Sequence, residues 1–169
     1  MKTQGDFEPD PIELIRRFNR ENIRYLLIGS MALAMHDAPF GSADWDFWVS
    51  SEDRTPAYEV LSRYGLHGEH SKTVKRPFDT FTDDEFFKVD VFFVKVFSNK
   101  KKDIAIAFND AYERAVIKKD PTGDFFVRVP ILDDLITMLK VVETPRPQHV
   151  KHMEYLEALR DRKRKNKKN

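Results

Sequence analysis

YLLIGSMALAMHDAPFGSADWDFWV, residues 25–49, is the stretch that decides the fold, because it joins two short apolar runs through a break. The first run, IRYLLI at 23–28, predicts a buried strand, and the second, DWDFWV at 44–49, predicts another. The second run carries two acids, Asp44 and Asp46, next to large apolar residues. Any function assigned to this stretch must therefore explain why a core-like strand contains two carboxylates.

The break between the two runs is a Gly29-Ser30 step followed by MALAMHD at 31–37, which favours a helix. The N-terminus of a helix presents free N–H groups and a partial positive charge that suit a phosphate group. Glycine allows close approach of the backbone, and the serine hydroxyl adds a donor. The same pattern is also typical of an ordinary strand-to-helix turn with a serine cap, so the sequence leaves both interpretations open.

Strand alternation places Asp44, Asp46 and Trp48 on one face, with the Cβ atoms of the two acids roughly 7 Å apart. A third acid, Asp90, lies in the middle of FFKVDVFFV at 86–94, a stretch whose opposite face is entirely apolar. Burying an unpaired carboxylate in such a strand is costly or forces it to take up a proton. Each of these acids therefore needs a compensating partner.

Two kinds of partner are open. One is a salt bridge, for which Lys88 and Arg24 are candidates. The other is a hard divalent cation, because Mg²⁺ prefers carboxylate oxygens together with substrate phosphates and needs neither His nor Cys. Three acids on two strands can form an oxygen cage, and a pair of such ions is the usual clamp for an in-line phosphoryl-type displacement. His67 and His70 leave a zinc site as a weaker possibility.

The same patterning predicts the remaining elements. These are helices at 11–20, 55–65, 101–117, 131–142 and 147–163, two strands within 71–97 around a Thr82-Asp83-Asp84 turn, and a strand at 124–130. Pro77 indicates that the first strand of the pair lies at a sheet edge. The order predicts an α/β (α+β) fold, a mixed β-sheet flanked by helices and followed by C-terminal helices.

Composition sets further limits. The chain has 169 residues, 41% hydrophobic and 34% charged, which is typical of one globular domain, expected over residues 1–160. No apolar run has the length of a membrane span, no secretory signal is recognisable, and cysteine is absent, so we expect a cytoplasmic protein without a membrane partner. The last ten residues carry a charge of +6 within a net charge of +1. Within this stretch, residues 161–169 are expected to form a flexible basic tail that is either a solvated terminus or a contact for the phosphate backbone of RNA.

Taken together, the strand, the Gly29-Ser30 step, the helix, the Asp44-x-Asp46 pair and Asp90 on a later strand resemble the polymerase-β-type nucleotidyltransferase superfamily. Within it, the pattern is similar to the minimal nucleotidyltransferases and to nucleotidyltransferase toxins of the AbiEii type. The resemblance covers residues 23–94. The combined motif is fairly specific, whereas each part alone is weak.

This resemblance implies a Mg²⁺-dependent transfer of a nucleoside monophosphate from an NTP to a hydroxyl acceptor, with release of pyrophosphate. Gly29 and Ser30 would hold the β- and γ-phosphates. Asp44 and Asp46 would bind two Mg²⁺ ions, and Asp90 would complete the catalytic metal site and help to activate the acceptor hydroxyl. The acceptor would be an RNA end, a protein or a small molecule such as an aminoglycoside.

A weaker part of the resemblance lies downstream, in VPILDDLITMLKVV and RPQHVKHMEYLEAL. By position, Lys140 matches a family lysine expected to contact the nucleotide, and Arg146 matches the arginine of a family Arg-Pro turn. The chain departs from the family at His149 and His152, which stand where relatives usually have two acids.

A further departure precedes the Asp pair, where Phe40 and Ser42 stand in place of an arginine and a threonine. These departures favour an alternative, namely a catalytically weak or inactive nucleotide-binding or interaction protein on the same fold, such as a toxin–antitoxin component with a cognate partner protein. A third alternative is a nuclease or a sugar transferase that uses Asp-x-Asp to bind a metal. Neither of the last two classes explains the Gly29-Ser30 step.

Overall fold

The computed structural model of the protein describes residues 10–40, 44–70, 76–83, 87–119 and 122–168. Within these residues the helices are α1 (Pro11–Arg20), α2 (Gly29–Met35), α3 (Arg54–Arg63), α4 (Phe108–Arg114), α5 (Leu132–Val141) and α6 (Pro147–Asn166). The strands are β1 (Tyr25–Ile28), β2 (Trp45–Val49), β3 (His67–Gly68), β4 (Phe78–Thr82), β5 (Lys88–Phe92), β6 (Val96–Ser98), β7 (Ala105–Ala107), β8 (Val116–Lys119) and β9 (Phe126–Val129).

A five-stranded mixed sheet forms the centre of the molecule, with the strand order β1-β2-β5-β4-β3. β2 and β5 pair in parallel, whereas the other neighbours pair antiparallel. Two small antiparallel sheets, β6–β7 and β8–β9, accompany it. This mixed sheet with its flanking helices confirms the predicted fold class.

The sheet has a different hydrophobic core on each face. Phe47 and Val91 belong to the larger core, which includes residues of α1, α3 and α5. Trp48 belongs to the smaller core on the other face, where its ring lies 5.3 Å from that of Phe108. The Trp48 side chain is fully buried, and its Nε1 donates a hydrogen bond of 2.7 Å to the carbonyl of Val94. Trp48 is therefore a core residue.

The first helix begins as its sequence predicts. The carboxylate of Asp10 accepts a hydrogen bond of 2.9 Å from the N–H of Ile12, and Pro11 occupies the first turn, where its missing N–H is not needed. The apolar face of α1, with Leu14 and Phe18 fully buried, then packs on the sheet in the larger core.

The prediction of one helix over 101–117 is wrong. Residues Ala105–Ala107 form β7, the helix α4 begins only at Phe108, and β8 begins at Val116. Ile106 of β7 pairs with Phe97 of β6, and both side chains pack in the smaller core. This tertiary contact outweighs the helical spacing of the apolar residues.

The expectation that the strand after Pro77 is an edge strand is only partly met. β4 pairs with β5 along its whole length, and on its other side the two-residue β3 pairs with Phe81 and Thr82. The last helix also extends further than predicted, because α6 continues to Asn166, so the first residues of the basic 161–169 segment are helical.

Some predicted features lie outside the described residues, namely Ser42, Asp84 and the last residue of the basic segment. None of the helices in the described ranges has the length and apolar content that crossing a membrane requires.

Candidate active site

A row of side chains that includes Asp46, Asp90 and Thr80 crosses one face of the central sheet. In the sheet register, Ile28 of β1 lies beside Asp46 of β2, Asp46 beside Asp90 of β5, and Asp90 beside Thr80 of β4. Neighbouring strands are about 4.8 Å apart. The parallel pairing of β2 with β5 therefore places two carboxylates side by side that are far apart in the sequence.

Gly29 brings the start of α2 against this row. Its φ of +68° lies in the left-handed region, which favours glycine. A Cβ atom at this position would also overlap Oδ2 of Asp46. Both the backbone conformation and the space thus require glycine, and the Gly29-Ser30 step lies in direct contact with a carboxylate of the Asp-x-Asp pair.

The Asp46 carboxyl group is strongly perturbed. Burial, followed by the negative charges of Asp90 and Asp44, raises the pKa of Asp46 to about 6, and the positive charge of Lys88 opposes this only in part. The three aspartates therefore repel one another across the site. A hard divalent cation would relieve this repulsion, and carboxylate oxygens on adjacent strands are suitable donors for Mg²⁺.

Asp90 has two partners in the protein. The hydroxyl of Thr80 donates a hydrogen bond of 2.7 Å to Oδ1, and Nζ of Lys88 lies 3.4 Å from Oδ2. The predicted salt bridge of Asp90 is thus present with Lys88, whereas Arg24 binds Asp53. The Lys88 side chain is 47% exposed, and such a surface pair contributes only about 0–1 kcal/mol. It does not compensate the buried charge of Asp46.

The acid row forms one wall of a cleft of about 720 Å³. Gly29, Ser30, Asp44, Asp46 and Asp90 all line this cleft. The facing wall comes from α5, the α5–α6 connection and the start of α6, and consists of Leu135, Met138, Leu139, Val141, Val142, Arg146, Gln148, His149 and His152. The cleft therefore has an acidic wall beside the glycine turn and a largely apolar wall facing it.

Lys140 is not among the residues that line the cleft. Its Nζ lies 3.6 Å from Oε1 of Glu157 in α6. Arg146, the other position matched in the downstream segment, does line the cleft. The structure thus brings every predicted site residue except Lys140 to one cleft. The catalytic, metal-binding and nucleotide-binding roles of all of them stay predictions.

The two histidines on the facing wall, His149 and His152, have lowered pKa values. Burial, followed by the positive charge of Arg146, lowers the pKa of His149, and burial followed by His149 lowers the pKa of His152. The ring of His152 lies 4.5 Å from that of Phe40, which also packs at 5.3 Å on Tyr155. Two departures from the family pattern, at positions 40 and 152, thus form a single packing contact.

A second cluster of ligand-type side chains lies on β3 and β4. Among the described residues, Glu69, His70 and Asp79 form a set of three whose donor atoms all lie within 4.8 Å of one another. Asp79 is fully buried and accepts a hydrogen bond of 2.6 Å from Tyr58 Oη, with His70 Nδ1 at 3.0 Å. Burial alone would raise the pKa of Asp79, but these hydrogen bonds and two from backbone N–H groups hold it below its ordinary value. The Asp79 carboxylate is therefore already satisfied by hydrogen bonds within the protein.

Sequence reasoning missed two contributors to the cleft. Thr80 is identified only by the register of the β4–β5 hairpin, and the apolar wall of α5 has the same pattern as any helix packed on a core. The face shared by Lys88, Asp90 and Phe92 was visible in the sequence, but its pairing with β4 was not.

Comparisons with known proteins identify the fold. No protein-family model matches the chain, and no curated protein sequence matches it significantly. Among solved structures, the lincosamide antibiotic adenylyltransferase LnuA, in its lincomycin-bound form, superimposes with a TM-score of 0.60 at 10% identity, covering 86% of this chain and 92% of LnuA.

Two further structures agree. A Thermotoga maritima protein proposed to be a nucleotidyltransferase gives a TM-score of 0.55 at 14% identity, over 90% of this chain and 89% of that one. The antibiotic-resistance factor ANT(2'')-Ia gives 0.53 at 13% identity, over 92% of each chain. The neighbours are thus nucleotidyltransferases, which confirms the predicted resemblance at the level of the fold.

Proposed function

We propose that this chain, which has the fold of the nucleotidyltransferases, is a Mg²⁺-dependent nucleotidyltransferase that moves a nucleoside monophosphate from an NTP to an acceptor hydroxyl. The observation that carries the proposal is the register that places Asp46 beside Asp90, directly against the Gly29 turn. A strand-to-helix turn with a purely structural role would not need a carboxylate packed against it, still less one that a second carboxylate repels.

The chain's own residues divide the work. Gly29 and Ser30 at the start of α2 would bind the β- and γ-phosphates through backbone N–H groups and a hydroxyl. Asp44, Asp46 and Asp90 would hold two Mg²⁺ ions. When bound, these ions neutralise charge on the attacking and leaving oxygens of the transfer.

The reaction balances without a further reactant. The acceptor oxygen bonds to the α-phosphorus, the bond from that phosphorus to the α–β bridging oxygen breaks, and pyrophosphate leaves. Asp90 would orient the acceptor hydroxyl and help to remove its proton, while Thr80 fixes the Asp90 carboxylate by the 2.7 Å hydrogen bond. Arg146, on the facing wall, would contribute positive charge towards the triphosphate.

The donor base and the acceptor are finer questions. LnuA is an adenylyltransferase solved with lincomycin, which makes ATP and a small-molecule acceptor one option. The exposed basic segment 161–168, at and just beyond the end of α6, supports an RNA acceptor instead, because it can contact a phosphate backbone without reading sequence. A protein acceptor, as in an AbiEii-like toxin with a partner antitoxin, is the third option.

A second candidate function is a nucleotide-binding or interaction protein with little turnover. Two observations favour it: the Lys88–Asp90 ion pair and the packing of Phe40 on His152, both at positions that the transfer reaction would use. This candidate retains the NTP site and predicts nucleotide binding without transfer.

One experiment separates the two candidates. The protein is incubated with each α-³²P-labelled NTP, Mg²⁺ and whole-cell RNA, protein or a small-molecule pool, alongside Asp44→Ala and Asp46→Ala. The proposal expects labelled product and pyrophosphate from the wild type and a loss of both in the variants. Equal transfer by all three proteins would remove these aspartates from the mechanism, and NTP binding without any transfer would support the second candidate.

A further inference from the structure

A second row of side chains runs beside the acid row on the same face of the sheet. Its members lie two positions from those of the acid row on each strand. The register aligns Leu26 of β1 with Trp48 of β2, Trp48 with Phe92 of β5, and Phe92 with Phe78 of β4. Residues i and i+2 share a face, roughly 7 Å apart. Three aromatic side chains in a line therefore flank the carboxylates of Asp46 and Asp90.

The aromatic row changes from buried to exposed along its length. Trp48 is fully buried, and its ring lies 4.6 Å from that of Phe97. Phe92 is partly buried, and Phe78 is 39% exposed, with its ring 4.8 Å from that of Phe92. Among the described residues, Phe78 is the one aromatic side chain in the set of exposed large hydrophobics. Phe78 and Phe92 both line the cleft.

This aromatic pair lies on a defined side of the site. Across the sheet, the Gly29 turn lies at the β1 end of the acid row, whereas Phe78 lies on β4, beyond Asp90. If the triphosphate occupies the glycine turn, the Phe78–Phe92 pair is on the side from which the acceptor approaches Asp90. Two cationic residues lie on or next to the same strands: Lys88, half-exposed beside Asp90 and four residues before Phe92, and exposed Arg76, two residues before Phe78.

Resting on the proposed function, we propose that Phe78 and Phe92 form a stacking platform for the terminal base of a single-stranded nucleic-acid acceptor, whose 3′-hydroxyl reaches Asp90. An exposed aromatic face supports stacking of any base, because every base has a π-face. The Lys88 cation beside Asp90 suits the adjoining phosphate. The terminal nucleotide thus provides the three chemical groups that the platform, Lys88 and Asp90 would each contact.

The test uses binding, not catalysis. A six-nucleotide RNA with 2-aminopurine as its 3′-terminal base is titrated with the full chain, and stacking is followed by quenching of the 2-aminopurine fluorescence. Removal of one base–aromatic stack weakens binding by about 5- to 150-fold, which is the loss expected for Phe78→Ala. Phe78→Trp should restore the quenching. Ile117→Ala removes a side chain of similar exposure, 46%, outside the cleft and should change nothing.

Controls keep the outcome decisive. Phe78→Leu retains apolar volume without a ring. If stacking drives binding, Phe78→Leu should bind the RNA as weakly as Phe78→Ala. A loss of binding that came only from destabilisation of the strand would be confined to Phe78→Ala. Equal binding by the wild type and both variants overturns the proposal, as does equal quenching of a 5′-terminal 2-aminopurine. Binding of a ring-bearing small alcohol in place of the RNA also overturns it.

The same variants distinguish this proposal from the proposed function. Mg²⁺-dependent NTP binding is measured separately on the wild type and on Phe78→Ala. NTP binding without RNA stacking removes the platform and leaves the nucleotidyltransferase site. RNA stacking without NTP binding removes the nucleotidyltransferase assignment, on which the role of the platform as an acceptor site depends.

Discussion

The Asp46→Asn substitution should stabilise the metal-free protein at neutral pH while it abolishes transfer. The pKa of Asp46 in the folded chain is about 6, against an ordinary value of 3.8. The folded state therefore binds the proton more tightly than the unfolded state, and stability falls as the pH rises from about 4 through 6. With 1.36 kcal/mol per pKa unit and some contact with solvent, the ionised carboxylate costs about 2 to 3 kcal/mol above this range.

The assay is urea denaturation of the wild type and Asp46→Asn in chelator-treated buffer across this pH range. The difference in the free energy of unfolding should grow by about 2 to 3 kcal/mol from about pH 4 to about pH 8. Any hydrogen bond that the new amide makes adds a constant offset, so the pH-dependent part is the test. Asp124→Asn, at an exposed turn position, should show a change within about 0.5 kcal/mol.

A difference that stays flat between these pH values would refute the reasoning, because it would mean that Asp46 is neither buried nor repelled by Asp90 and Asp44. The metal provides the complementary result. Added Mg²⁺ should raise the stability of the wild type at neutral pH, since a ligand that binds only the folded state stabilises it, and it should have little effect on Asp46→Asn.

Three further substitutions follow from the same geometry. Gly29→Ala should destabilise the chain by more than Gly123→Ala in urea denaturation: both have a positive φ, a strain of about 1–3 kcal/mol, but only position 29 meets a carboxylate. Thr80→Val should weaken Mn²⁺ binding about 10-fold or more in calorimetric titration, because it removes the hydroxyl that orients Asp90; unchanged affinity would contradict this role. Trp48→Phe should lower the free energy of unfolding by about 1–3 kcal/mol, because a backbone carbonyl loses its indole donor, while NTP binding persists; lost NTP binding would place the indole in the site.

The core of the candidate site was predictable because its signals are local. Alternation in β2 assigns Asp46 to the face opposite Phe47. The apolar sequence around Asp90 indicates that its carboxylate needs a partner. The glycine turn was visible as a break between an apolar run and a helix. The structure adds why Gly29 is required, which is the Asp46 carboxylate behind it.

The remaining features depend on pairings between distant segments. The alignment of Asp46 with Asp90 follows from the parallel pairing of β2 and β5, which no single strand encodes. The position of Phe78 beside Phe92 depends on the register of a hairpin, so the aromatic row was not evident in the sequence. The mistaken helix over 101–117 has the same origin, since the pairing of β7 with β6 decides that segment.

Binding of Mn²⁺, as a spectroscopic substitute for Mg²⁺, tests the central claim most directly. Electron paramagnetic resonance would count bound Mn²⁺ with an NTP present in the wild type, in Asp46→Asn and in Glu69→Gln, which alters the second cluster of ligand-type residues. The account predicts tight, NTP-dependent binding by the wild type and Glu69→Gln, and a loss of at least about 10-fold in affinity in Asp46→Asn. Equal binding by all three proteins, or a loss confined to Glu69→Gln, would contradict it.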